Sequence, residues 1–169
     1  MPTAGPFAEA ATCVGDDQLL LAGGAADGGL GAAVRAVGSS RGDFMGFQSH
    51  PDLDVPREVA SAVAWNGFLY AVGGNDRTVK PPIQKAVVNA DGSLGPWTTA
   101  GHLLQEGDCT QAVAANGYLY AVGGCDPDNG GPNGNVAWAP FLPNGDVGAF
   151  QAGPEIDIPP DNLGWRGLG

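Results

Sequence analysis

No apolar run in this chain approaches the roughly 20 residues that a membrane-spanning helix requires. The longest, such as Phe68 to Val72 and Ala112 to Ala115, stop after five and four residues, so no membrane insertion is expected. Met1 is followed by Pro2, Thr3, Ala4, Gly5 and Pro6, with neither a basic start nor an apolar stretch, so no secretory leader is expected. That reading leaves open a mature or excised form, and a place either in the cytoplasm or in an exported or viral assembly. Basic residues are scarce: seven Lys and Arg stand against 18 Asp and Glu, for a net charge of −11. Such a surface repels phosphate backbones, which argues against nucleic acid as a partner. The acids are scattered singly from Glu9 to Asp161, the pattern of a solvated surface rather than an acidic tail. There are three cysteines and no Cys-x-x-Cys, so structural zinc has no support. No Ser-His-Asp order, phosphate loop or pair of catalytic carboxylates stands out.

Glycine and proline are abundant instead. With 29 Gly and 14 Pro, the two make up about a quarter of the chain, close to the level at which an aperiodic sequence reads as disordered. This chain is periodic. "WNGFLYAVGG" at 65 to 74 returns as "ANGYLYAVGG" at 115 to 124, and the double glycines Gly23-Gly24, Gly73-Gly74 and Gly123-Gly124 share a 50-residue step. Asp16, Asn66 and Asn116 follow the same step, as do Leu19, Leu69 and Leu119. A second landmark runs in phase: "RGDFMGF" from Arg41 matches "DGSLGPW" from Asp91, and "NGDVGAF" from Asn144 arrives three residues late. Three extra residues between Gly124 and Asn135 would account for the lag.

Each unit reads as four short strands. Val59 to Trp65 and Phe68 to Val72 flank Asn66-Gly67, which supplies the two positive φ angles of a type I′ hairpin turn. Ile83 to Val88 and Leu94 to Thr99 flank Asp91-Gly92, a second turn signal. Four strands repeated about every 50 residues is the pattern of propeller blades, whose small sheets bury their faces against their neighbours.

The "LYAVGG" strands of Leu69 to Gly74 and Leu119 to Gly124, with Trp97 after "DGSLG", resemble the kelch repeat. The likeness covers residues 7 to 152, and is weaker in the first unit, where "QLLLAGG" lacks the tyrosine and Phe47 stands for Trp97. It implies an all-β fold of four-stranded antiparallel blades at 7–50, 57–100 and 107–152, each running from an inner first strand to an outer fourth. Propellers close with about 4 to 8 blades, and an array of three leaves apolar blade faces open to water. A second copy, a different chain carrying complementary blades, an open stack, or membership of a longer chain would each cover them. Residues 153–169 read as an arm or an incomplete further blade, with Leu163, Trp165 and Leu168 as anchors on a partner.

In such a blade the tight turns share one face and the longer loops the other. The long loops are Ala25 to Gly31, Asn75 to Pro82 and Cys125 to Gly134, and binding residues concentrate on long loops held by a rigid scaffold. The expected ligand-binding residues are therefore Asn75, Asp76, Arg77, Asp126, Asp128 and Asn129. The same residues are also ordinary turn formers. Asp126 to Gly130 offers close oxygens but lacks the spacing of the helix-loop-helix calcium motif, and His50 and His102 fall in the blade links, so no metal or other cofactor is assigned. Cys109 and Cys125 face one another across the Asn116-Gly117 hairpin, leaving a disulfide and two free thiols both open, while Cys13 reads as a small buried hydrophobe.

Two function classes follow. One is a non-catalytic binding or structural module, completed by self-association or by a complementary propeller subunit, that takes a protein or glycan on its long-loop face; a component of a virion or similar assembly belongs here. The other is a carbohydrate oxidase or isomerase with its site at the centre of a completed ring. The family includes a copper-radical oxidase, but Tyr70, Tyr118 and Tyr120 sit inside repeated strands, and no Cys/Tyr/His set is suggested by spacing. With no convergent reactive set, the first class is preferred.

Overall fold

Two-residue hairpin turns organise the molecule. In the computed structural model Asn66 and Gly67 have φ of 46° and 80°, and Asn116 and Gly117 have 52° and 83°, the pair of positive angles that type I′ turns demand. The structure describes residues 10–14, 18–22, 33–38, 44–57, 60–75, 81–104, 109–125 and 133–157, with the backbone course alone up to residue 49. Part of the "RGDFMGF" landmark, residues 41–43, lies outside the described residues.

Among the described residues twelve strands form three four-stranded antiparallel sheets, each in chain order. The first holds β1 (Ala10–Val14), β2 (Gln18–Ala22), β3 (Ala33–Gly38) and β4 (Phe44–His50). The second holds β5 (Ser61–Trp65), β6 (Phe68–Val72), β7 (Ile83–Val87) and β8 (Thr98–Gly101). The third holds β9 (Gln111–Ala115), β10 (Tyr118–Val122), β11 (Val136–Pro140) and β12 (Gln151–Ala152). No helix occurs among the described residues. The first strands adjoin, β1 with β5 and β5 with β9, and Ala112 N donates to Ser61 Oγ across the second of these contacts (3.1 Å). The sheets therefore fan out from a shared inner edge.

Three strands differ from their expected spans: β5 begins at Ser61 in place of Val59, β7 ends at Val87 in place of Val88, and β8 runs Thr98–Gly101 in place of Leu94 to Thr99. The segment expected from Leu94 becomes a ladder only at Thr98; Leu94 makes an isolated bridge to Val88, and Gly95 N donates to Val87 O (2.9 Å). The third unit has the same gap with Ala149 in the place of Pro96: Phe141 bridges Val147, Gly148 N donates to Pro140 O (2.8 Å), and β12 starts only at Gln151, so the gap belongs to the repeat and not to the proline. The late third unit is visible too. β9 starts 50 residues after β5, whereas β11 starts 53 after β7.

Both faces of the middle sheet are covered, so β6 is buried along nearly its whole length and carries an apolar run rather than an alternating one. Leu69 and Ala71 pack with Leu53, Ala86, Leu94 and Trp97. On the opposite face Val63, Tyr70, Val72, Ile83 and Ala100 meet Leu119, Ala139 and Val147 of the third sheet. At the junction with the first sheet, Leu94 N donates to His50 Nδ1 (3.1 Å) and Trp97 Nε1 to Pro51 O (2.9 Å).

The second and third sheets are joined through the turn Asn144-Gly145-Asp146. Tyr70, fully buried, donates its hydroxyl to Gly145 O (2.8 Å). Lys85 Nζ donates to Asn144 O (2.6 Å) and Asp146 Oδ1 (2.8 Å) and stands 5.2 Å from the Phe68 ring centre. Val147 N donates to Ala100 O (2.8 Å). Phe141 stacks on Trp65 at 5.6 Å and tilts against Tyr70 at 5.0 Å. Burial, and secondarily the Asp146 charge, pushes the Tyr70 phenol up to about 12, so it remains a donor at any working pH. Gly145 has φ +81°, and a Cβ there would lie 2.6 to 2.9 Å from three Phe68 ring carbons. Only glycine fits.

Gly145→Ala combines left-handed strain with a ring clash, and is expected to lower unfolding stability by about 2–4 kcal/mol in a urea titration. The Asp146 carboxyl is held below its ordinary value by the hydrogen bond from Lys85 and then that from Asn144. Because its folded value lies below the unfolded value of about 3.9, its contribution is complete above that pH and is lost as pH falls through the folded value. The urea midpoint is thus expected to fall more steeply below about pH 4 in the native chain than in Asp146→Asn.

Candidate functional site

The loop that carries Asn75 leaves β6 through Gly73 and Gly74, whose φ angles of 68° and 79° suit glycine, and returns through Pro81 and Pro82 to β7. One side chain fastens both ends. Arg57, completely buried, donates from Nη1 to Ala71 O (3.2 Å) and Gly73 O (3.1 Å). From Nη2 it donates to Pro82 O (2.7 Å) and Gln84 Oε1 (2.7 Å). The same Gln84 oxygen accepts from Val55 N (3.2 Å), tying in the link that precedes β5. All of these acceptors are neutral oxygens. Burial lowers the guanidinium to about 10, which leaves it charged at neutral pH, so the bonds are charge-assisted and correspondingly strong. A planar fork of donors suits a task in which several carbonyls must be reached at once.

The corresponding loop of the third sheet is anchored by backbone instead. Gly123 N donates to Asn135 O (2.8 Å) and Asn133 N to Gly124 O (3.0 Å), while Asn133 Oδ1 accepts from Asn135 N (3.2 Å). The segment after β12 lies alongside: Gly153 N donates to Val136 O (2.6 Å) and Ile156 N to Gly134 O (2.7 Å). Gly134 permits this approach, because a Cβ would collide with the Ile156 carbonyl. Cys125 is buried here, Cys109 is half-buried with φ 59°, and neither is in a disulfide.

Of the residues expected to bind a ligand, Asn75 is placed at the loop base, half-buried. Asp76, Arg77, Asp126, Asp128 and Asn129 lie outside the described residues, as do Leu163, Trp165 and Leu168 of the arm. His50 is engaged at the junction of the first and second sheets, and His102 is exposed beyond β8. Among the described residues no three His, Cys, Asp or Glu side chains are grouped as a metal cage. Sequence reasoning missed Arg57, Gln84 and Lys85, all buried. A signal existed for Lys85, which falls on the same strand face as the apolar Ile83 and Val87. Arg57 gave none from the repeat, because Phe7 and Gly107 occupy its positions one step away.

No protein-family profile matches the chain, and no curated protein does. Solved structures do. The structure of YjhT superposes with a TM-score of 0.64 at 16% identity, covering 89% of this chain and 47% of that one. The chain thus spans about half the length of that neighbour. At this identity the likeness is one of fold, and with the three radiating sheets it defines a β-propeller-like fold.

Arg57→Met leaves buried carbonyls without donors and is expected to cost about 2–4 kcal/mol of stability. Arg57→Lys should recover only part of this in the same thermal or urea melt, since one ammonium does not span both loop ends.

Proposed function

We propose that the chain comprises three consecutive blades of a kelch-type propeller serving as a non-catalytic binding and assembly module. Further blades, from self-association or a complementary subunit, complete the ring. A protein or glycan is recognised on the long-loop face, to which the sequence pattern assigns Asn75, Asp76, Arg77, Asp126, Asp128 and Asn129. The kelch assignment draws on the repeated "LYAVGG" wording together with the propeller-like fold.

One observation carries the assembly reading: equivalent positions on successive blades are unequally covered. Val63 is 4% exposed, while its counterpart Val113 is 55% exposed. Tyr118, in the place of the half-buried Phe68, is 40% exposed. Val122 and Val136 are likewise more open than the fully buried Val72 and Ile83. A sheet face built from the residue types that form an interior elsewhere in the same molecule is an interaction surface by composition. The half-length match to YjhT fits a ring that needs about as much chain again. The non-catalytic reading is supported by how the polar side chains are used, since Tyr70, Lys85, Arg57 and His50 all bond structural partners.

Light scattering on the purified chain tests this. A mass that is a multiple of 17.0 kDa is expected. A folded, monodisperse species of 17.0 kDa would contradict self-completion.

A further inference from the structure

The geometry points to the outward face of the third sheet as a preformed socket for the first sheet of a second copy of this chain, closing a ring of two chains. This inference rests on the assembly reading above and names its partner.

The junction between the second and third sheets defines what a socket is. The receiving sheet supplies Phe68, Tyr70 and the apolar set Val63, Val72 and Ile83; the incoming sheet supplies a glycine turn whose carbonyl accepts the tyrosine hydroxyl. The third sheet repeats the receiving half residue for residue. Tyr118 and Tyr120 stand in the places of Phe68 and Tyr70, and Val113, Val122 and Val136 in the places of Val63, Val72 and Ile83. The aromatic pair is already set. Tyr118 and Tyr120 lie 6.4 Å apart at 52°, against 6.2 Å and 50° for Phe68 and Tyr70. No rearrangement is required to receive a blade.

The chemistry of one position changes most. Where the second sheet offers Lys85 across from Tyr70, the third offers Trp138 across from Tyr120, an aromatic face in place of a charged one. The order of the sheets names the occupant: β1 adjoins β5 and β5 adjoins β9, so the first and third sheets end the stack, and in a ring of two chains the third sheet of one copy meets the first sheet of the other. In sequence the first unit keeps a glycine, Gly42, at the position aligned with Gly145. Two chains joined this way share two identical head-to-tail contacts that close by a two-fold rotation. The six blades that result lie within the usual range of about 4 to 8, and two such chains make up the length of the YjhT chain, of which one matches 47%.

The full-length chain and two variants test it by light scattering. Val113→Arg alters a side chain that is already more than half exposed in the single chain, so the far-UV circular dichroism should stay unchanged while the two-chain species gives way to one of 17.0 kDa. Tyr120→Phe, which removes only the hydroxyl, should raise the dissociation constant about three- to tenfold. Gly42→Val alters the position that aligns in sequence with Gly145, and mixing it with Val113→Arg should restore pairing that neither variant shows alone, because one native contact survives in the mixture. Association of the native chain that Val113→Arg leaves intact would overturn this socket while leaving the assembly reading standing. Failure of the mixture to pair would overturn the first sheet as occupant. A ladder of higher species in place of a two-chain endpoint would overturn ring closure.

Discussion

A glycine carbonyl held under a tyrosine hydroxyl is the contact on which the second and third sheets depend. Gly145 brings its backbone close enough to accept from Tyr70 because it has no side chain. That approach places Val147 N on Ala100 O and delivers Leu119 and Ala139 to the apolar face of the preceding sheet. Four-stranded sheets of this size have two apolar faces and too little material to cover both themselves. Stacking is therefore a condition of their stability, and the turn is the device that sets its register.

Charge is used sparingly and for fastening. The chain has seven basic residues, and two of them, Arg57 and Lys85, are buried at points where separate segments must be held together. Arg57 unites the link before β5 with both ends of the following loop; Lys85 unites β7 with a turn some sixty residues later. Each places its donors on carbonyl oxygens or a single exposed carboxylate, so neither forms a closed buried ion pair that would demand double desolvation. The acidic remainder of the surface repels other acidic surfaces, and recognition between blades then falls to apolar and aromatic faces.

The features legible in the sequence are those fixed locally. Asn-Gly turns declare their φ angles without reference to the rest of the chain, and strands such as Phe68–Val72 lie between them as the spacing predicts. The blade fold follows from repetition, because a unit that recurs at constant spacing must pack against its own likeness. What the sequence conceals is whatever the repeat does not share. Arg57 has no counterpart one step away. Tyr70 shows its hydroxyl in the sequence, but the acceptor lies 75 residues on. At the loop face, Asn75 was identifiable as a polar residue after the double glycine, while the guanidinium beneath that loop was hidden behind an ordinary-looking proline-arginine pair.

The proposed assembly requires that the open face of the third sheet be matched by another blade. Hydroxyl-radical footprinting of the native chain at assembly concentration reads this directly, side chain by side chain. If the faces are matched, Tyr118 and Tyr120 will be protected to nearly the degree of Tyr70 and will become reactive on dilution. Tyr118 and Tyr120 reacting freely at every concentration, with Tyr70 alone protected, would contradict it.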